Sequence, residues 1–354
     1  MTNSTHRASS GAREGTPNTR RLLLFTLLFI GLSLAGVYAV YSQVAGHSLS
    51  WDNRLLAPSA LAGYALLLVI YFASDALRLW YTLRALGEKV PLSSMGRLVF
   101  LNIFVSNVTP MATGGGFAQV WFLQRRGVAI GTAMTATTIR TVLAVLFIFG
   151  ATPVLLLTLP GAESAAQQSS LVSTLIVCVV LYLSFFAVLL LRPSWLARPL
   201  LLFLKLLRVF HLISAARQRR WRLRLVRELR RFAQGFGRYF SGRWRDILAS
   251  WLFTALFLLS LFSFPALLCW ALGYDLSYWL VVGRMVITTF VMYFSPTPGA
   301  SGIAEGVFGH FFADVLTAGH LVLVTVGWRA LTIYLGMLIG IFVTQRELTD
   351  GAPK

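Results

Sequence analysis

The sequence predicts an all-α polytopic membrane protein: about six full spans plus two broken, re-entrant helical hairpins in an inverted repeat, or eight spans. Three observations carry that reading. The chain is 57% hydrophobic and only 12% charged, with a mean hydropathy of +0.72, whereas a soluble globule carries about 25% charged residues. Several apolar runs reach about 20 residues, enough to cross about 30 Å of hydrocarbon. Two apolar stretches also carry matching breaks. One reads Ser106-Asn107-Val108-Thr109-Pro110-Met111-Ala112-Thr113-Gly114-Gly115-Gly116, with Gln119 one turn on. The other reads Ser295-Pro296-Thr297-Pro298-Gly299-Ala300-Ser301-Gly302, with Glu305 one turn on. Freed backbone groups find no water in hydrocarbon, so such breaks persist only inside protein or beside a cavity. Two of them in corresponding halves point to a site at a repeat interface.

Residues 1–20 are polar and lack a short apolar core with a cleavage site, so they read as a disordered cytosolic tail rather than a cleaved signal. The first membrane half covers 21–191. It holds a span at Leu22–Tyr41 and another at Ala57–Leu77, which ends in the polar-aromatic edge Asp75 to Tyr81. A broken hairpin follows near 98–123, its arms Leu98–Thr109 and Phe117–Leu123 each too short to cross alone. Spans at Thr132–Thr158 and Leu171–Leu191 complete this half, joined by Leu159–Ser170 without Lys or Arg. Residues 192–245 hold fifteen basic residues interleaved with Trp195, Phe203, Trp221, Phe232 and Trp244. At helical spacing this reads as amphipathic helices on an anionic leaflet. The second half, 246–345, holds a span at Ile247–Leu272, a broken hairpin near 278–316 and a last span at Leu321–Val343, before a cytosolic tail at 346–354.

The 31 Lys and Arg set the orientation. Apart from Arg54 and the intramembrane Arg140, Arg284 and Arg329, all fall in segments assigned to one side. The positive-inside rule then puts both termini in the cytoplasm and inverts the second unit relative to the first. Charge bias fits re-entrant hairpins and paired crossings alike, because both return to their starting side.

Glu305 is an intramembrane carboxylate just past a break, a position that reads as headgroup binding or proton coupling, or else as a structural pair or cap. Arg329 is its natural partner, and a guanidinium there could bind a lipid phosphate bidentately. Arg284 and Arg140 are further candidates for the path, with Gln119, Asn107, Thr109 and Thr297 at the breaks. Pro110, Gly114, Gly115, Gly116, Pro296, Pro298, Gly299 and Gly302 shape the backbone. They could free helix N-termini for an anion or simply pack helices closely. Asp75 and Arg78 read as an interfacial pair or capped end, with Trp80 in the aromatic belt. His310, Asp314 and His320 fit no ligand spacing and read as solvated or capping residues. Cys178 and Cys269 lie in apolar runs as packing residues. No metal set, nucleophile–base arrangement, ATP-binding loop or dinucleotide fingerprint is present, so no cofactor, no metal and no enzyme activity is expected. Nucleic-acid binding has charge but no motif behind it.

The chain resembles the transmembrane flippase-like domain of lysylphosphatidylglycerol synthases. The likeness rests on Arg78-Leu79-Trp80, Asn107 to Pro110 with its Gly run, Pro296 to Glu305, and Arg329 with Tyr334 and Gly336. It reads as a stand-alone member without the aminoacyl-transferase domain, so lysyl transfer is not implied. The first break departs from the family pattern, with Met111, Thr113 and Gln119 where many relatives carry Arg and Glu. The resemblance implies a flippase moving an anionic phospholipid or lipid-linked headgroup between leaflets of a bacterial-type inner membrane. Two other readings stay open: a secondary transporter of a small soluble anion, and a non-transporting scaffold of a cell-envelope enzyme. The expected partners are anionic membrane lipids, with a homo-oligomer or an envelope enzyme left open.

Overall fold

The computed structural model describes residues 51–158 and 215–349, with eight further isolated helical positions. The spans expected at Leu22–Tyr41 and Leu171–Leu191, both terminal tails beyond Thr349 and before Trp51, and residues 192–214 lie outside the described residues. Helices form all the regular structure among the described residues. They are α1 (Pro58–Ala85), α2 (Leu92–Val108), α3 (Thr113–Arg125), α4 (Ile130–Thr158), α5 (Ala215–Phe240), α6 (Trp244–Ala271), α7 (Tyr278–Met292), α8 (Ile303–Phe312), α9 (Ala318–Arg329) and α10 (Leu335–Thr349). A π-turn at Ala330–Tyr334 joins α9 to α10, so Ala318–Glu347 is one apolar helix of 30 residues. This helix, α1, α4 and α6 are the described helices long and apolar enough to cross a membrane.

The arms at the breaks are shorter: 17 residues in α2, 13 in α3, 15 in α7 and 10 in α8. Each falls below the roughly 20 residues a crossing needs. Their feet show how they sit. Arg97 of α2 and Arg126 beyond α3 both reach Glu347 at 3.0 Å, and Arg84 at the end of α1 meets Asp246 at the start of α6. The first hairpin therefore opens at the end of the bundle that carries these basic residues. At the opposite end, Tyr274 before α7 bonds Thr317 and His320 beyond α8, and His320 approaches Asp52 before α1. The second hairpin opens there. The two breaks touch between these ends. Hairpins entering from opposite ends and meeting at their tips are re-entrant in form.

The same contacts define a repeat. Each half has a long helix (α1 or α6), a broken hairpin (α2/α3 or α7/α8) and a closing long helix (α4 or α9–α10). α1 packs on α6, α4 packs on α7, and α10 packs on α2, so exchanging the halves maps this set of contacts onto itself. The equivalent helices α1 and α6 run antiparallel. Gly63 faces Leu267, Tyr71 stacks on Phe257, Tyr81 stacks on Phe253, and Arg84 meets Asp246. An antiparallel pairing of equivalent helices is what an inverted repeat requires. Exposed Leu248, Leu252, Leu256 and Leu259 form a stripe at one-turn spacing along α6, an apolar face suited to lipid.

Two boundaries and the setting of one helix differ from the sequence expectation. α1 runs past Leu77 to Ala85, so Asp75, Arg78 and Trp80 lie on the helix. Nothing breaks the helix earlier, and its charges find partners in Asp75 and Asp246. α10 runs to Thr349, so the start of the expected tail is helix, held by Glu347. α5 is amphipathic as expected, but Phe232, Phe236 and Tyr239 on its apolar face are buried against protein. Glu228 accepts from the Gly131 N–H at 2.9 Å, and the Thr135 hydroxyl donates to the Phe232 carbonyl at 3.1 Å. The second half of this helix is thus docked on α4, while Trp221 and Leu223 in its first half stay exposed beside its arginines.

Candidate functional site

Each break is a short 3-10 turn led by proline, where a missing N–H costs nothing because a first-turn N–H has no helical partner. The first is Pro110–Ala112, with Met111 and Ala112 at φ 53° and 52°. Left-handed backbone in two side-chain-bearing residues is strained, and such strain gathers at functional sites. The second is Pro298–Ala300, with Gly299, Ala300 and Gly302 all at positive φ.

The break is therefore narrower than the sequence motif. Gly114, Gly115 and Gly116 lie inside α3. Gly115 lets α3 close onto α2, because a Cβ there would collide with Ser106 Oγ and Asn102 Oδ1. Thr109 donates to the Val105 carbonyl at 2.8 Å and accepts from the Gly114 N–H at 2.9 Å. Asn107 donates back to Ile103 at 2.8 Å. In the second break Thr297 donates to the Ser301 carbonyl at 2.9 Å, and Glu305 Oε2 accepts from the Gly302 N–H at 2.7 Å. The N–H groups of Gly114 and Gly302 thus serve side chains of the chain itself and not an incoming anion.

Glu305 and Arg329 meet as their sequence positions suggested. Arg329 Nε lies 2.9 Å from Glu305 Oε1, and both side chains are 0% exposed. That approach is an ion pair without an aligned hydrogen bond, so Nε and Oε1 have no hydrogen-bond partner, and neither does Arg329 Nη1. Arg329 Nη2 donates to the Gly299 carbonyl at 3.1 Å and reaches Ser301 Oγ at 3.4 Å. Arg329 therefore fastens the second break, directly before the π-turn in its own helix. Inserted π-turns occur often at functional sites.

The equivalent position in the first half is Arg140, which like Arg329 stands about three turns into the closing helix of its half. Its neighbour in the hairpin is Gln119, not a carboxylate. Arg140 instead reaches across to Asp75 of α1, Nη2 to Oδ1 at 2.5 Å. Arg78 shares that same oxygen, with Nε at 2.7 Å. Asp75 and Arg78 are 2% and 5% exposed. The expected interfacial pair is thus a buried triad with two cations and one anion. Arg78 also lies 3.6 Å from the centre of the Phe257 ring, which attracts its charge. Trp80 Nε1 donates to the Val90 carbonyl, so Trp80 braces the loop before α2. Gln119 is buried and donates to Asn102 Oδ1 at 2.5 Å. Asp75, Asn102, Gln119 and Arg140 line one small cavity.

Arg284 lies away from this centre. It grips Asp314 bidentately at 2.5 and 2.7 Å, and also the Phe311 carbonyl, so it closes the foot of the second hairpin rather than facing a path. Asp314, expected as solvated or capping, is its partner. Beside it the Arg284 guanidinium holds the Asp314 carboxyl below its ordinary value. Asp52 is held lower still, at about 2, by its hydrogen bonds from Arg54. Asn102, Asp246 and Glu347 escaped sequence reasoning. Asn102 left one usable signal, a polar side chain in an apolar arm one turn before Ser106. Asp246 and Glu347 sit among surface-like charges that carry no such mark.

Fold and site together define a class: a helical membrane protein of two inverted halves whose broken hairpins meet beside buried arginines. The family described as the lysylphosphatidylglycerol synthase TM region matches residues 19–340, and the chain belongs to that family. It is also similar to a UPF0104 membrane protein of Archaeoglobus fulgidus, 24% identical over 305 residues that cover 86% of this chain and 92% of the relative.

Proposed function

We propose that this protein carries an anionic lipid, a phospholipid or a lipid-linked headgroup, between the leaflets of the cytoplasmic membrane, with both termini inside. The observation that carries this reading is the unequal charge of the two buried arginine sites beside the meeting breaks. Arg329 is neutralised by Glu305, whereas Arg78 and Arg140 share the single charge of Asp75. An uncompensated buried cation is costly and favours an anionic partner. The cavity there is small, so a headgroup would enter only as the first hairpin moves away from α4. Rocking of one half against the other about a fixed central site would supply that movement.

A groove of about 450 Å³ between α1 and α6 supports a lipid over a soluble anion. It is lined by Gly63, Leu66, Leu267, Trp270 and Tyr278 among others, and it lies at the outer surface of the long helices, where Leu66 and Trp270 are exposed. The partners proposed with this reading are the membrane lipids themselves.

The test is leaflet exchange of fluorescent lipids in proteoliposomes, comparing wild type with Arg140→Gln and Glu305→Gln. Fast exchange of anionic lipid that falls at least tenfold in Arg140→Gln is the expected result. Folded wild-type protein that exchanges no lipid class overturns the carrier reading and leaves a soluble-anion carrier or a scaffold.

A further inference from the structure

We infer that the cavity beside Arg140 is a binding site for one small monovalent anion of the halide class. Asp75, Arg78 and Arg140 leave an excess of one positive charge among side chains no more than 11% exposed. Among the described residues no further carboxylate is placed to cancel it. Of the 12 acidic residues, Asp52, Glu228, Asp246, Glu305, Asp314 and Glu347 pair with arginines elsewhere. Glu88 lines the cavity by Trp80 and Asp275 the groove by Trp270. Glu14, Glu163 and Asp350 lie outside the described residues, and the apolar runs Leu22–Tyr41 and Leu171–Leu191 contain no acid at all. Neither of these two runs can therefore deliver the missing negative charge.

Arg140 Nε and Gln119 Oε1 are buried and have no hydrogen-bond partner, and both residues line the cavity. Turning the Gln119 and Asn102 amides over together keeps the bond between them and presents a Gln119 N–H to the cavity. An anion would then receive N–H groups from Arg140 and Gln119. The centre of a water-sized particle has about 10 Å³ available, room for one water or monatomic ion and too little for a phosphate with its oxygens. A water would satisfy the N–H groups but leave the charge, whereas a halide does both.

The second half supports the assignment by contrast. At the equivalent arginine the hairpin supplies Glu305, and Arg329 is matched within the chain. In the first half Gln119 stands on the hairpin and cannot carry charge. On this account the anion takes the place that a carboxylate fills in the other half.

The inference rests on the charge excess assigned above to headgroup recognition, the halide occupying the closed site and leaving when a headgroup enters. Its test uses no transport, so failure of one is separable from failure of the other. The thermal unfolding of the full-length protein in detergent is followed as sodium chloride or bromide replaces sodium gluconate at constant ionic strength. Wild type should gain about 2–4 °C in a saturable way. Gln119→Glu, which puts a carboxylate on the hairpin beside the same cavity as Arg140, should be folded and lose the response to chloride. Arg140→Gln should lose it too, and if that variant fails to fold, Gln119→Glu alone decides. An identical Tm in chloride and gluconate overturns the site, as does an undiminished response in Gln119→Glu. A response to inorganic phosphate equal to that for chloride overturns the halide assignment.

Discussion

Glu305 and Arg329 have no contact with water, so each is tolerable as an ion only because the other is there. Glu305→Gln should cost roughly 3–5 kcal/mol, because it strands a buried guanidinium. Glu305→Gln combined with Arg329→Gln should cost much less than the sum of the two single changes. Equilibrium unfolding in mixed micelles measures this cycle, and additive costs would mean that the two groups do not depend on one another. Asp314 behaves differently, because its side chain is 59% exposed and its bond to Arg284 is partly screened. Its folded pKa is depressed. The pair therefore stabilises the fold above the unfolded carboxyl value of about 3.9 and is lost as pH falls through the lower folded value. The Tm difference between wild type and Asp314→Asn should be flat from about pH 8 to 5 and shrink below about pH 4. A difference that faded between pH 8 and 6 would assign the contact to another group. The Glu305–Arg329 pair was legible in the sequence because a carboxylate beyond a membrane break demands a cation. The link from Asp75 to Arg140 was hidden, since Arg78 stands one turn from Asp75 and is partner enough until the fold brings α4 alongside.

At the level of elements, the glycine run illustrates what a motif does and does not say. Gly-rich sequence at a break reads as loop, yet Gly114 to Gly116 belong to a helix, and their value is closeness to α2. The three are not equivalent. Gly115→Ala should cost roughly 1–3 kcal/mol, because its Cβ meets Ser106 Oγ and Asn102 Oδ1 on the facing arm, which must turn away or let the arms part. Gly116→Ala meets nothing within 4 Å and should be neutral or stabilise by up to about 1 kcal/mol, since alanine favours helix. Parallel unfolding measurements on the two variants check the ordering, and a reversed order would place the Gly115 face outward. The basic stretch was legible as an amphipathic helix from its period alone. Its docking was not, because a periodic apolar face records that something covers it and not whether lipid or α4 does so.

For the whole molecule, length and hydropathy made the membrane class plain, and the paired breaks made the duplication plain. The way the halves interlock was beyond the sequence, because the crossed pairings of α4 with α7 and α2 with α10 join segments that no local pattern connects. That interlocking gives the orientation its force. One end of the bundle gathers Arg84, Arg97, Arg126 and the docked α5, and the other holds Arg54 beside Asp52. Positive charge is retained on the cytoplasmic side, so the first hairpin should open inward and the second outward. Single cysteines at Lys89 and at Asp275, in a background with Cys178 and Cys269 replaced, test this in intact cells. Lys89 lies between α1 and α2 and Asp275 between α6 and α7, in loops at opposite ends of the bundle. A membrane-impermeant maleimide should label Asp275→Cys and leave Lys89→Cys unlabelled until the cells are opened. The opposite pattern would turn the whole bundle over, and equal labelling at both would break the assignment of the two loops to opposite sides, and with it the inverted halves on which the carrier reading stands.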